Sequence, residues 1–360
     1  MIKQLRATNY NIIIGNDALK QLSIFLKKHK YSSYFILCDE NTLQHCLSKL
    51  IFSCKQLKDA EIIEIESGET NKSIEIVAHC WHTLLENNAD KNSLLINLGG
   101  GVINDLGGFI ASTYKRGIDF INIPTTLLAM TDASVGGKTG INFLNFKNQI
   151  GTITQPKGVF ITPLFLETLS YRQLINGYAE IFKIALIKNK AFFNEISTKL
   201  IDNSFNDVEV ISKSIALKNA IVKKDPNELN IRKILNFGHT VGHAIESLFL
   251  NKADSLLHGE AIAIGMAIES YLCLLLKRIS TEEFEKIISS LKLHFEFPAI
   301  SKNELNDFYT YFKQDKKHKH NKYQLALLNG IGNCDYDVRV TQQQLEKSIL
   351  FYNSTIADVV

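Results

Sequence analysis

The sequence is short of several things, and each absence narrows what the chain can do. Charge of one sign is lacking: 40 lysines and arginines stand against 37 aspartates and glutamates, a formal net charge of +3 over 360 residues. A balance that small leaves no electrostatic footprint for nucleic acid or for an anionic membrane surface, so any basic site must be local. No run of about 18 apolar residues is evident, so no bilayer span and no membrane partner is expected. The six cysteines, at positions 38, 46, 54, 80, 273 and 334, form no CxxC pair and sit among apolar neighbours, as reduced thiols of a cytoplasmic protein would. The opening MIKQLRATNYNIIIG reads as a strand and a turn, without the charged, apolar, small-residue order of a signal peptide. Internal repeats and low-complexity tracts are absent too. What is present is 45% hydrophobic content, enough with this length for buried cores in two domains.

The first 165 residues alternate short β-branched or aromatic runs with helical stretches. YFILCD (34–39), EIIEI (61–65), SLLINLGGG (93–101) and FINIP (120–124) are strand candidates, with IEIVAHCWHTLLENN (74–88) helical between them. Strand, helix, strand in succession predicts a parallel sheet covered on both faces. From about Leu169 long apolar or amphipathic helical segments follow one another, and strand signals nearly vanish until YQLALLNGIG (323–332). The expected architecture is an α/β nucleotide-type domain over residues 1–165 and an all-α domain over residues 166–360.

Several stretches carry chemistry. LGGGVINDLGGF (98–109) follows an apolar strand, and its consecutive glycines can bring bare N–H groups to phosphate oxygens, although the spacing is not GxGxxG and a tight strand-to-helix turn explains it equally well. Asp39 in CDEN, and Glu69 and Lys72 in GETNKS, follow other strands, so a cofactor laid across the carboxyl edge of the sheet is expected. In DASVGGKTGINFLNFKNQIG (132–151), Lys138, Lys147 and Asn148 sit amid glycines and few acids. Flexible, glycine-flanked lysines with an amide nearby suit a phosphate or carboxylate, against the blander reading of an exposed loop with solvated lysines. Arg116 in YKRG and Arg232 in NIRKILNF are further anion clamps. GYAEIFKIALI (177–187) places Glu180 and Lys183 three apart in an apolar helix, where a carboxylate needs a strong partner. NFGHTVGHAIESLFLNKADSLLHGE (236–260) holds His239, His243 and His258. Any one of them alone would ordinarily be a satisfied core histidine, but together they point to a metal, which usually adds a carboxylate.

At this point the chain resembles the 3-dehydroquinate synthases. GGGVINDLGGF, YKRG, IPTTLLAMTDASVGGKTGIN, KNQIG, QPKGVF, GYAEIFKIALI, LNFGHTVGHAIE, LHGEAIAIGM and QDKKH stand in the family's order over most of the sequence. The resemblance implies a Rossmann-like NAD-binding domain followed by a helical metal-binding domain. It places one divalent ion, zinc or cobalt, on Glu180, His239 and His258, and makes His243 a substrate or proton-relay residue. It implies that Asp39, Asn41, Glu69, Lys72, Gly100, Gly101, Val102, Asp105, Thr125, Thr126, Asp132, Lys138, Lys147, Phe165, Thr168 and Leu169 surround NAD. Arg116, Lys138, Lys147, Asn148, Lys218, Glu228, Arg232, Asn236, His243, Lys316 and Lys317 would bind substrate, Arg116 reaching in from the second subunit of a homodimer. Catalysis would fall to His243, Lys138, Lys183, Asp132 and Asn148. The implied reaction turns 3-deoxy-D-arabino-heptulosonate 7-phosphate into 3-dehydroquinate and phosphate: NAD oxidises a secondary alcohol, the new ketone acidifies the adjacent C–H, phosphate leaves, the hydride returns, and an internal aldol step closes the ring. Asn104, Thr162, Gln173 and Pro226 depart from the family pattern. A polyol dehydrogenase would share the architecture but have less use for the lysines and arginines. A cyclase of sedoheptulose 7-phosphate would leave Arg232 underused, and a non-catalytic NAD-binding regulator would not need the metal and anion residues together.

Overall fold

The computed structural model describes residues 2–144, 146–202, 205–250, 252, 255–314 and 322–357. They form two compact units, one of Met1–Leu174 with Asn203–Lys223, the other of Ile175–Asp202 with Lys224–Val360.

In the first unit the strands are β1 (Lys3–Arg6), β2 (Asn11–Ile14), β3 (Tyr34–Asp39), β4 (Glu61–Ile65), β5 (Leu94–Gly99), β6 (Asp119–Pro124), β7 (Lys138–Phe143), β8 (Phe146–Ile153) and β9 (Gly158–Ile161). One sheet runs β1-β2-β9-β6-β5-β3-β4, parallel throughout except for the β1–β2 hairpin at its edge. The amino-terminal segment is thus two strands, not one. Every residue of β5 is buried, as a central parallel strand covered on both faces requires. Chain order reverses between β3 and β5, and such a switch point opens a crevice at the carboxyl ends of the two strands.

The helix Gly101–Thr113 packs closely at two glycines, on β5 of this sheet at Gly107 and on β7 at Gly108. A Cβ on Gly107 would come within 1.9 Å of Asn97 Oδ1, and one on Gly108 within 2.5 Å of Thr139 Cγ2. The second glycine pair of LGGGVINDLGGF therefore serves helix packing and leaves the first three glycines to the turn.

The lysine-bearing stretch, for which an exposed loop is the blander reading, forms an antiparallel ribbon. β7 pairs with β8 through Lys138↔Ile153, Thr139↔Thr152, Gly140↔Gly151 and Ile141↔Ile150. The glycines let the two backbones approach, since a Cβ on Gly151 would meet the Thr139 carbonyl at 2.1 Å, and Thr139 and Thr152 join hydroxyls at 2.7 Å. Glycine here signals close contact between strands, a reading that composition alone does not separate from looseness.

The second unit is helical around His239–Phe249 and His258–Leu275, with the hairpin β10 (Lys322–Leu328) and β11 (Cys334–Thr341). β10 is the strand expected near residue 323. The helix His258–Leu275 is long and apolar enough to cross a bilayer by length and composition, which corrects the expectation that no such run exists, and 72% of it is buried inside the protein. Its apolar character is that of a core helix. Glycines fuse it to the helix before it: a Cβ on Gly265 would lie 2.0 Å from the Gly238 carbonyl, and one on Gly242 3.1 Å from the Ala261 carbonyl.

Candidate metal and cofactor sites

In the second unit, the part of helix Tyr171–Lys188 from Ile175 onward buries Glu180 and Lys183, at 3% and 2% exposure. Their side chains form an ion pair through Glu180 Oε2. The other carboxylate oxygen, Oε1, is buried and has no hydrogen-bond partner among the described residues. It faces two imidazoles instead, with His239 Nε2 at 3.4 Å and His258 Nε2 at 3.8 Å. One ring nitrogen from each of His239, His243 and His258 lies within 4.8 Å of the others.

The outward nitrogens fix the tautomers. His239 Nδ1 is 3.2 Å from the Phe237 carbonyl and His258 Nδ1 is 3.5 Å from Glu246 Oε2. Both partners only accept, so each Nδ1 carries a proton, and in the neutral ring Nε2 turns its lone pair inward. Burial, then the charges of Lys183, His243 and His258, hold the His239 imidazole well below the ordinary 6.5, hence neutral. Two inward lone pairs and an orphaned carboxylate oxygen fit a divalent cation, which would satisfy all three.

Two side chains overlooked in the sequence hold this arrangement. Asn176, one turn before Glu180, accepts from the Gly259 N–H at 2.6 Å and so caps the helix that begins with His258. A Cβ on Gly259 would come within 2.1 Å of the Asn176 carbonyl, so only glycine lets the helix end seat there. Glu269, fully buried, accepts from the N–H groups of Gly238 at 2.7 Å and Val241 at 3.2 Å, fixing the start of the helix that carries His239 and His243. Their sequence signal is slight: polar residues in apolar helices at helical spacing from the ligands.

Also in this unit, Asp225 accepts from the N–H groups of Leu229, Asn230 and Arg232, at 3.0, 2.7 and 3.0 Å. Burial acts to raise its carboxyl, but those three donors and the Arg232 charge prevail and hold it below the usual carboxylate range. Arg232 is buried and donates to the Pro226 carbonyl. Asn236 donates to Glu228 at 2.8 Å, and both line a cavity of about 370 Å³ with Lys233, Tyr336 and Asp337. Pro226, one of the departures, thus contributes its carbonyl to the Arg232 turn. Lys316 and Lys317 lie outside the described residues.

In the first unit the carboxyl edge of the sheet gathers the expected cofactor residues. Asp39 ends β3 and its carboxylate caps the following turn, accepting from the Thr42 N–H at 2.9 Å, while Asn41 is exposed and donates to Glu40. Gly100 and Gly101 follow β5, Val102 and Asp105 lie on the helix behind them, and Thr125 and Thr126 follow β6. Asn104, another departure, donates to the carbonyls of Gly99 and Gly100 at 3.0 and 2.7 Å, bracing the turn. A Cβ on Gly101 would meet only Ala133, at 3.4 Å, so its approach face is open. Lys72 is buried and donates to Asp105 at 2.6 Å. Burial acts to deprotonate it, and the Asp105 and Glu69 charges outweigh that, raising its pKa. Phe165 is buried, Thr168 exposed and Leu169 half-buried, in and just after the turn Pro163–Thr168. Thr162 at that turn is fully buried, and its hydroxyl has no hydrogen-bond partner among the described residues.

Asp132 and Lys218, expected separately, form one ion pair at 2.6 Å. Lys138 opens β7, while Lys147 and Asn148 lie on β8. Arg116 stands apart: it precedes β6, at the amino edge of the sheet and opposite the cofactor turns. Its backbone is left-handed, with φ 62°, and Lys91 donates to the carbonyls of Lys115, Arg116 and Gly117 around it.

Residues 62–176 match the family model for the 3-dehydroquinate synthase N-terminal region and residues 177–318 the model for the C-terminal region. The 3-dehydroquinate synthase of Parabacteroides distasonis is 38% identical over 346 residues, covering 96% of this chain and 98% of that protein. A 2-epi-5-epi-valiolone synthase from Streptomyces hygroscopicus, solved with NAD+ and Zn2+, superposes with a TM-score of 0.79 at 25% identity, over 97% of this chain and 98% of that one. A 2-deoxy-scyllo-inosose synthase, solved with carbaglucose-6-phosphate, NAD+ and Co2+, superposes with a TM-score of 0.85 at 22% identity, over 97% and 99%, which shows the shared fold.

Proposed function

The chain belongs to the 3-dehydroquinate synthase family and is an NAD- and divalent-metal-dependent lyase; from that premise we propose how its residues divide the conversion of 3-deoxy-D-arabino-heptulosonate 7-phosphate to 3-dehydroquinate and phosphate. NAD belongs to the α/β part, residues 1–165, and the ion to the helical part, residues 166–360. The observation that carries the reading is Glu180 Oε1, a buried carboxylate oxygen without a hydrogen-bond partner among the described residues, facing the Nε2 atoms of two imidazoles.

Glu180, His239 and His258 would hold the ion, zinc or cobalt. When bound, the ion supplies Lewis acidity to a secondary alcohol and NAD supplies a reversible hydride acceptor. Lys183 offsets the Glu180 charge and so tunes how strongly the three residues attract a cation. His243, half-buried beside His239 with ring centroids 5.2 Å apart, would move a proton rather than serve as a ligand. Lys138, Lys147 and Asn148 supply cationic and amide donors to the leaving phosphate, whose two charges explain why one short ribbon carries two lysines. Arg232 and Asn236 bind the carboxylate, for which a planar guanidinium offers paired donors. Lys218, Asp132 and Glu228 orient the remaining hydroxyls. Lys316 or Lys317, outside the described residues, would add a further cation toward the phosphate.

Arg116 is assigned to the site of a second copy. It sits at the far edge of its own sheet, and its strained turn is held by Lys91, which supports a residue displayed outward. The protein is therefore proposed to be a cytoplasmic homodimer, with all six cysteines free and buried. The test is phosphate release from the heptulosonate phosphate, with sedoheptulose 7-phosphate as control and NADH absorbance followed at once. Phosphate without NADH accumulation supports the reading. Stoichiometric NADH, or equal turnover of the control, overturns it.

A further inference from the structure

One side chain absent from every assignment above touches both the cofactor turn and the anion-binding ribbon. Asn142, near the end of β7, donates its amide to Glu69 Oε1 at 3.0 Å and to the Glu69 carbonyl at 3.2 Å. Its backbone N–H donates to the Lys72 carbonyl at 2.8 Å. Its amide oxygen accepts from the Asn148 N–H at 2.9 Å. Lys72 closes the ring by donating to Asn148 Oδ1.

The polarity of this ring is determined throughout. An ammonium can only donate, so Asn148 turns its oxygen toward Lys72 and keeps its NH2 as the end that can meet an anion. A carboxylate can only accept, so Asn142 turns its NH2 toward Glu69 and its oxygen toward Asn148. Asn148 itself is left-handed, with φ 54°, a conformation that persists where surrounding bonds over-determine it. Rotating the Asn142 amide by half a turn would set oxygen against carboxylate and NH2 against N–H, so the ring tolerates one arrangement only.

We propose that Asn142 is a positioning residue that locks the phosphate-facing ribbon to the cofactor-facing turn, so that NAD and the anionic substrate bind cooperatively. The inference rests on the assignment of Glu69 and Lys72 to NAD and of Lys147 and Asn148 to phosphate. Whichever ligand arrives first orders the ring, and the second meets groups already in place.

The test measures coupling rather than activity. The dissociation constant of a non-eliminable phosphonate analogue of the heptulosonate phosphate is measured by calorimetry, with and without saturating NAD. In the parent protein NAD should tighten analogue binding about tenfold, and the analogue should tighten NAD by the same factor, since coupling is reciprocal. In Asn142→Ala the factor should fall below about twofold, with the melting temperature within about 3 °C of the parent, because the side chain is only half-buried. Asn142→Asp keeps an acceptor for Asn148 but sets a carboxylate against Glu69. It should lose the coupling while retaining affinity for the analogue alone. A parent protein that binds both ligands without coupling, or variants that keep the tenfold factor, overturn the proposal and leave the function standing. Failure of the parent to bind either ligand overturns both.

Discussion

Replacing Lys183 by methionine should destabilise the metal-free protein far more than the metal-loaded one. Lys183 and Glu180 form an ion pair at 2% and 3% exposure, and methionine keeps most of the volume while removing the charge. Removing one partner of a buried pair costs about 3–5 kcal/mol, because the remaining charge is left uncompensated. In metal-free protein that cost falls in full on Glu180, whose Oε1 already has no hydrogen-bond partner among the described residues. With an ion present the cation compensates the carboxylate, and about 1 kcal/mol of lost contacts should remain. The difference, about 3 kcal/mol, must reappear as tighter metal binding by the variant, on the order of 100-fold. Urea unfolding in chelator and in saturating Zn2+ gives the two stabilities, and chelator competition gives the affinity independently. Equal losses in both states, or weaker metal binding, would show that Glu180 does not face the ion. Loss of phosphate release would accompany either outcome and so decides nothing here.

Further consequences can be checked alongside. His258→Ala should empty the metal site and abolish phosphate release, whereas His243→Ala should keep the metal and lose much of the rate; elemental analysis showing the reverse pattern would exchange the two roles. The His239 imidazole is held well below 6.5 in the folded chain, so between those values the unfolded chain holds more protons. Stability of the metal-free protein therefore rises with pH across that window and is lost as pH falls below about 6.5. In His239→Gln the slope of urea midpoint against pH should flatten there, and an unchanged slope would refute the burial argument. Lys147→Ala should weaken the phosphonate analogue by about 1–3 kcal/mol without lowering the melting temperature of the empty protein. Unaltered affinity would remove Lys147 from the site.

The strands of the first unit were legible because periodicity and composition agree there: EIIEI and YFILCD match β4 and β3 residue for residue. The ribbon β7–β8 was not. Lysines and glycines lower strand propensity, and only the opposition of Gly140 to Gly151 across the pair, a long-range fact, turns those glycines into a reason for pairing. The same limit applies in the second unit. Histidines four apart announce a shared helix face, but nothing local says that Asn176 meets Gly259, or that Glu269 reaches the start of a helix 31 residues earlier in the chain. Pairings such as Asp132 with Lys218 depend on a contact across 86 positions. Composition could nominate both residues without joining them.

The metal ligands come from three separated stretches, and the structure indicates how their convergence is made insensitive to the chain between them. Asn176 and Glu180 lie one turn apart on a single buried helix. The first locates the start of the helix that opens with His258, through the Gly259 N–H, and the second offers the carboxylate to that same histidine. The spacing between Glu180 and His258 is thereby set largely by the rise of one helical turn, which packing holds nearly constant. Glu269 applies the same logic from the other end, since it belongs to the His258 helix and fixes the start of the His239 helix. Both histidine-bearing helix starts are held by a side chain of a neighbouring ligand-bearing helix. The connection preceding His258 can then vary in sequence without moving an imidazole, provided the two caps and the glycines beneath them remain.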